Sequence, residues 1–324
     1  MSKIRTTRNR SAGPADATAR AVAGFLDAQQ QVFDRYRVKA EHRFVMPTIG
    51  GCAQVLVAGE GPPLPMVIGG TVPAAFWAPL MAKLPGHTLY AIELPGFGLT
   101  DPVRYHHTTL RRTAVAFLGG VLEALGLDDC QVVSNSMGAR WSTWLSADQP
   151  GRIRSEVMIG CPAHILGTTA PAPMRLASVP GLGRALVSLP KPSAKGVEQM
   201  LRAVGEDPNG LAEIRDVLVA AQRIPTYSAS MLGLMRAVMR WTRLRPEVEL
   251  TADQLRQIRH PVRLIWGEQD PFGSVETGRR ATELIPEVDF HAVPGGHAPW
   301  FHHADLVAGL TGEFLDTHAG GGRR

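Results

Sequence analysis

Cysteine is scarce in this 324-residue chain: Cys52, Cys130 and Cys161 are an odd number, widely spaced and without a CxxC pair. That excludes a disulfide framework and a zinc site built on paired thiolates. Long apolar runs are missing too. The longest charge-free stretch, Gly61 to Ala82, contains Pro62, Pro63, Pro65, Pro73 and Pro79, and so many prolines do not fit one membrane-spanning helix. The net charge of +5 is deceptive, because Lys3, Arg5, Arg8, Arg10, Arg323 and Arg324 put six positive charges on the ends and leave a body of about −1. With the excess on ends that read as disordered and solvated, no basic nucleic-acid-binding face is expected. The basic start is not followed by the apolar segment of a secretory signal, so the expected location is cytoplasmic and Asn9-Arg10-Ser11 reads as a chance glycosylation sequon.

What is present is ordinary globular composition, 44% apolar and 19% charged, in a chain long enough to bury roughly three quarters of its unfolded surface. From Ala17 to Tyr36, apolar residues at three- and four-residue spacing predict an amphipathic helix ahead of the main fold. Arg43 to Met46 and Gln54 to Val57, flanking Ile49-Gly50-Gly51, predict an edge hairpin. Short apolar runs at Leu64–Ile68, Leu89–Leu94, Gln131–Ser134 and Glu156–Ile159 alternate with helical patterns at Ala75–Leu84, Thr109–Leu125 and Met137–Asp148, and such alternation means a parallel sheet with helices on both faces.

Strand signals then stop until about Pro246, and Pro and Gly breaks separate helical stretches at Pro171–Leu189, Val197–Val204, Leu211–Gln222 and Tyr227–Trp241. The sheet resumes with a capping box at Thr251 and Gln254, strands at Val262–Trp266 and Val288–Val293, and a closing helix from His303 to Leu315. The expected division is a disordered tail 1–15, an N-terminal helix 16–38, a core 39–161 and 247–317, a helical cap 162–246 and a flexible tail 318–324.

Ser134-Asn135-Ser136-Met137-Gly138 stands where a buried strand turns into a helix, a turn that forces its middle residue into a strained, exposed position. Ser136 is the candidate nucleophile, its bland reading being a helix N-cap. A serine hydroxyl needs a base to take its proton and a carboxylate to orient that base. Asp270, in Gly267-Glu268-Gln269-Asp270-Pro271, and His297, in Gly295-Gly296-His297-Ala298-Pro299, each follow an apolar strand, where open α/β sheets bind ligands. Asp270 also suits a turn cap, which leaves Glu268 as the other candidate acid. His106-His107 and His302-His303 lack carboxylates at ligand spacing, so no metal is expected.

With the order Ser, acid, His, the chain resembles the α/β-hydrolase family over roughly Phe44 to Leu315. Leu94-Pro95-Gly96-Phe97-Gly98-Leu99-Thr100-Asp101 and Pro150-Gly151-Arg152-Ile153-Arg154 are similar to further family stretches. The resemblance implies an eight-stranded, mostly parallel sheet under a helical cap, no cofactor, and a triad of Ser136, Asp270 and His297. It also implies an oxyanion hole from the N–H groups of Met137 and Thr71, although Gly69-Gly70 stands where the family usually has His-Gly. Phe76, Trp77, Trp144, His164 and Trp300 flank these loops and are candidates for the substrate pocket or for core. Met231, Met235 and Met239 form an apolar stripe that reads as packing of a cap helix, or as a lining for a greasy substrate.

The expected activity is that of a serine hydrolase on an ester or lactone of a moderately apolar small molecule. Asn135-Ser136-Met137-Gly138 and His297 through Trp300 also resemble the hydrolases that cleave carbon-carbon bonds in ring-opened aromatic diketones. Those relatives carry a cap arginine for the substrate, for which Arg175, Arg184 and Arg202 are the choices here. A serine nucleophile argues against the epoxide hydrolases and dehalogenases, which use aspartate. Perhydrolysis and a receptor built on the same fold stay open, as do the oligomeric state and the role of the N-terminal helix, a brace for the cap or a dimer contact.

Overall fold

The structure, a computed structural model, describes residues 14–47, 49, 51–188 and 190–320. Helix α1 (Pro14–Tyr36) begins three residues before the periodic pattern does, with Pro14 at its first turn, where a missing N–H costs nothing. Strands β1 (Ala40–Val45) and β2 (Ala53–Ala58) pair antiparallel as an edge hairpin, β1 largely exposed and β2 largely buried. Gly50 of its turn lies outside the described residues, as do the basic ends and the Asn9 sequon.

Strand β3 (Pro63–Val67) leads into a 3-10 turn over Ala74–Trp77 and a short α2 (Ala78–Met81). Pro73 and Pro79 frame that crossover, which is why the expected helix Ala75–Leu84 is broken into two pieces. Next come β4 (Thr88–Ile92), α3 (Leu110–Ala124), β5 (Cys130–Asn135), α4 (Met137–Asp148) and β6 (Ile153–Ile159). The cap follows as α5 (Ala172–Ala177), α6 (Leu182–Ser188), α7 (Ala194–Ala203), α8 (Ala212–Ala221) and α9 (Tyr227–Val238). Pro180-Gly181, with Gly181 at φ 78°, divides the single helix expected over Pro171–Leu189.

The expected helix through Trp241 stops at Val238, and a two-residue ribbon of β7 (Met239–Arg240) and β8 (Arg243–Leu244) closes the insertion. The capping box of Thr251 and Gln254 is formed at the start of α10 (Ala252–Arg256). Strand β9 (Val262–Gly267), a helix α11 (Val275–Thr282) that periodicity had not shown, β10 (Val288–Val293) and α12 (Ala304–Thr317) complete the chain. Helix α11 has a low apolar content and is started by Ser274, whose side chain accepts from Thr277 N–H.

The eight strands of the main sheet lie in the order β1-β2-β4-β3-β5-β6-β9-β10. Every pair from β4 to β10 is parallel, and only β2 runs against its neighbours. β5 and β9 are buried along their whole length, as strands covered by helices on both faces must be. Helix α1 packs on α8 of the cap and on the turn before α2, burying Phe25, Val32 and Phe33. It braces the cap against the sheet domain. No helix among the described residues is long and apolar enough to cross a membrane.

Candidate active site

Because β5, β6, β9 and β10 run parallel and side by side, their carboxyl ends share one edge of the sheet. Ser136 follows β5 directly, Asp270 comes three residues after β9, and His297 four residues after β10. Ser136 has φ 52° and ψ −113°, strained for a residue with a Cβ, and Met137 starts α4 at once. The turn is that tight because strand and helix touch: a Cβ on Gly138 would collide with the carbonyl oxygen of Val67. Ser134 is small for the same reason and donates to the buried Glu156 at 2.5 Å.

Asp270 is 6% exposed and accepts three hydrogen bonds. Its Oδ2 meets His297 Nδ1 at 2.8 Å and Cys161 N–H at 2.7 Å, and its Oδ1 takes Phe272 N–H at 2.9 Å. Turn cap and partner of His297 are therefore one and the same residue, while Glu268 points to solvent. Phe272 stacks on the His297 ring with centroids 4.1 Å apart. The Asn135 amide donates to the carbonyls of Ile159 at 2.7 Å and His297 at 3.3 Å, tying the elbow to the histidine loop. With Nδ1 held on Asp270, His297 Nε2 has no hydrogen-bond partner among the described residues and belongs to the side chain lining the cavity of Ser136.

Ser136, His297, Thr71 and Met137 line one cavity together with Phe76, His164 and Trp300. Thr71 has φ 72°, and its carbonyl accepts from Tyr227 OH of α9 at 2.9 Å, so a cap helix pins the loop after β3. In that loop a Cβ on Gly69 would stand 3.2 Å from Ser136 Cβ, and one on Gly70 3.6 Å from Met137 Cβ. Trp77 and Trp144 do not line the cavity. Trp77 lies in the core against Trp300, centroids 4.5 Å apart, and Trp144 lies under the Arg140 guanidinium at 4.2 Å. Trp77 directly follows the cavity-facing Phe76, on a 3-10 turn that rotates it into the core. Met235 and Met239 face the cavity and Met231 does not, so the methionine stripe both packs the cap and walls the site.

Among the described residues the lining contains no Lys, Arg, Asp or Glu. Arg175, Arg184 and Arg202 all lie outside it. His164 is held neutral: burial first, then the Arg140 charge, push its imidazole down to about 4.

One buried group here has no counterpart in the sequence reading. Glu206, just past α7 and 3% exposed, accepts from Ala298 N–H at 2.7 Å. Two residues earlier, Val204 C=O accepts from His297 N–H at 3.0 Å, and a Cβ on Gly205 would meet Gln269 O at 2.6 Å. Residues 204–206 of the cap thus press on both the acid and the histidine loops. Burial pushes the Glu206 carboxyl up, opposed by Ala298 N–H and the nearby His297 and His302. Nothing in its local pattern, Gly205-Glu206-Asp207-Pro208, separates it from an ordinary polar turn.

A Ser, Asp and His set on the carboxyl ends of such a sheet, beneath a helical insertion, defines an α/β-hydrolase. The alpha/beta hydrolase family model matches residues 54–310, and the chain belongs to that family. It is similar to a 2-hydroxy-6-oxononadienedioate/2-hydroxy-6-oxononatrienedioate hydrolase of Pseudomonas putida, 25% identical over 275 residues that cover 79% of this chain and 89% of that protein. It is also similar to a pimeloyl-[acyl-carrier protein] methyl ester esterase of a Shewanella species, 26% identical over 262 residues, 76% of this chain and 88% of that one. Among solved structures, the carboxylesterase CesB of Bacillus subtilis superposes with a TM-score of 0.71 at 19% identity, covering 94% of this chain and 100% of that one. The 2-hydroxy-6-oxo-6-phenylhexa-2,4-dienoate hydrolase of a Rhodococcus species gives 0.72 at 18%, covering 86% and 99%.

Proposed function

We propose that this hydrolase cleaves a neutral carboxylic ester or lactone of a moderately apolar small molecule through an acyl-enzyme. Ser136 Oγ attacks the acyl carbon while His297 Nε2 takes its proton, and Asp270 on Nδ1 holds the tautomer and offsets the imidazolium charge. The N–H groups of Met137 and Thr71 receive the oxyanion. The tetrahedral species collapses, the leaving alkoxide takes the proton from His297, and water repeats the sequence to release the acid.

The observation that carries this reading is the cavity around Ser136, lined mostly by apolar side chains and, among the described residues, by no Lys, Arg, Asp or Glu. A carboxylate-bearing substrate entering it would lose its hydration with no counter-charge to replace it, which is costly. The dienoate and dienedioate substrates named for several relatives are of that kind. Carbon-carbon cleavage is the second reading, supported by those relatives and by the Asn135-Ser136-Met137-Gly138 elbow.

The test is intact-mass analysis after fluorophosphonate treatment of the protein and its Ser136→Ala variant, followed by p-nitrophenyl esters of rising acyl length beside a 2-hydroxy-6-oxo-dienoate. Expected are one label, its loss in the variant, and ester turnover that rises with acyl length. A kcat/KM for the dienoate at least tenfold above the best ester would establish the second reading. No label on folded protein would favour a receptor.

A further inference from the structure

The cap carries a surface that hydrolysis at Ser136 does not use. On α5 and α6, Leu176, Leu182 and Leu186 are 42%, 41% and 47% exposed, and Trp241 between the ribbon strands is 60% exposed. The elements that carry them are contiguous: α5 packs on α6, and both pack on α9, which runs into the ribbon. The Ser178 hydroxyl at the end of α5 donates to the Trp241 carbonyl. Trp241 is held at φ 58°, a conformation unfavourable for so large a residue, with its indole in solvent rather than in the core. Leu182 and Leu186 are four residues apart, on one face of α6.

The chain segments that carry these residues hold charge of one sign. The sequence from Pro171 to Val197 and from Tyr227 to Pro246 contains no Asp or Glu, and the insertion 162–246 holds eleven Lys and Arg against five Asp and Glu. Arg184, Lys191, Arg240 and Arg243 are exposed, and none forms an ion pair among the described residues. The first acid after α6, Glu198, is engaged by Arg215 at 3.2 Å. Met174 of α5 and Met239 of the ribbon line the cavity, so both elements adjoin the site.

Exposed leucines and a tryptophan on elements that also carry exposed, unpaired cations match a surface with an apolar interior and anionic headgroups. We propose that the α5–α6 and Trp241 face of the cap docks on anionic lipid bilayers, seating the cavity at the interface where apolar esters accumulate. A second copy of the chain is the less suitable occupant, since it would bring the same positive charges together. The docking is independent of the ester reading, because it needs no turnover.

The experiment is sedimentation of the full-length Ser136→Ala protein with vesicles of phosphatidylcholine alone or mixed with phosphatidylglycerol, at two salt concentrations. Expected is binding to the anionic vesicles only, weakened by salt, with a blue shift of tryptophan emission. Arg240→Gln with Arg243→Gln should weaken it about fivefold per charge removed, and Leu182→Ser with Leu186→Ser should abolish the blue shift. Both pairs are exposed, and far-ultraviolet circular dichroism checks that each variant is folded. Absence of binding, or binding unchanged in both double variants and hence owed to the basic ends, overturns the proposal. So does a size-exclusion dimer that Leu182→Ser with Leu186→Ser converts to monomer without any vesicle binding.

Discussion

At the scale of the single residue, Glu206 is the group whose removal separates position from chemistry. Its carboxylate holds Ala298 N–H, next to His297, from a cap segment that the chain reaches some ninety residues earlier. Glu206→Ala leaves that buried donor unpaired, a cost of about 1–3 kcal/mol, and loosens the histidine loop, which stays tied to the cap through the Val204 carbonyl. Glu206→Gln keeps an acceptor in place. The expected outcome is a several-fold fall in kcat for the alanine variant with KM little changed, and recovery of most of it by glutamine, read from steady-state rates on the best p-nitrophenyl ester. Equal losses in both variants would mean that the charge, and not the acceptor, matters.

At the scale of the element, two loops at the strand ends are held by buried polar contacts. Tyr227 of α9 reaches Thr71 O, and its ring packs edge-on against Phe97 at 5.7 Å. Tyr227→Phe keeps the ring and removes one neutral hydrogen bond, worth about 1 kcal/mol of stability. The loop proposed to supply an oxyanion donor then loses its tether, so kcat should fall between several-fold and about a hundredfold, checked against a thermal melt that moves by only a few degrees. The other loop, after β4, closes on Glu93, which is fully buried and accepts from Ala74 N–H at 3.1 Å and Leu99 N–H at 3.2 Å. Burial pushes its carboxyl up to about 8, the two N–H donors opposing. The folded chain therefore keeps a proton that the unfolded chain releases from about pH 4.5 upward. Stability from this group is fully present below about 4.5 and is lost as pH rises toward 8, by up to ~1.4 kcal/mol per pH unit. Glu93→Gln, neutral at every pH, should flatten that decline in urea melts taken at pH 5 and pH 8.

At the scale of the whole molecule, the cap is held by its own chain ends, by its hydrogen bonds to the loops around Thr71 and His297, and by α1 lying across α8. Phe33 of α1 is 1% exposed in the main core, edge-on to His42 of β1. Phe33→Ala should destabilise the protein by about 3–5 kcal/mol and speed proteolytic cleavage within α8, measured by urea unfolding and limited trypsin digestion. A loss confined to α1, with α8 as resistant as before, would show that the cap stands without its brace.

Order of elements, the elbow at Ser136 and the loops of Asp270 and His297 were legible in the chain because each rests on local signals: runs of buried strand residues, the small residues a sharp turn demands, and Gly and Pro at strand ends. Helix α11 was not, because a helix lying on an edge strand needs few apolar residues. Phe76 faces the cavity and Trp77 the core, a choice made by the rotation of one 3-10 turn between two prolines. Glu206, Tyr227 and the cation-free lining arise only when an insertion of about eighty residues folds back over the sheet, and no periodicity records where it lands. The amino-acid sequence by itself determined the hydrolase scaffold and its candidate triad, since those depend on neighbours along the chain. The tertiary structure alone decided what surrounds Ser136, because burial, charge and the grip on the histidine loop come from residues far apart in sequence.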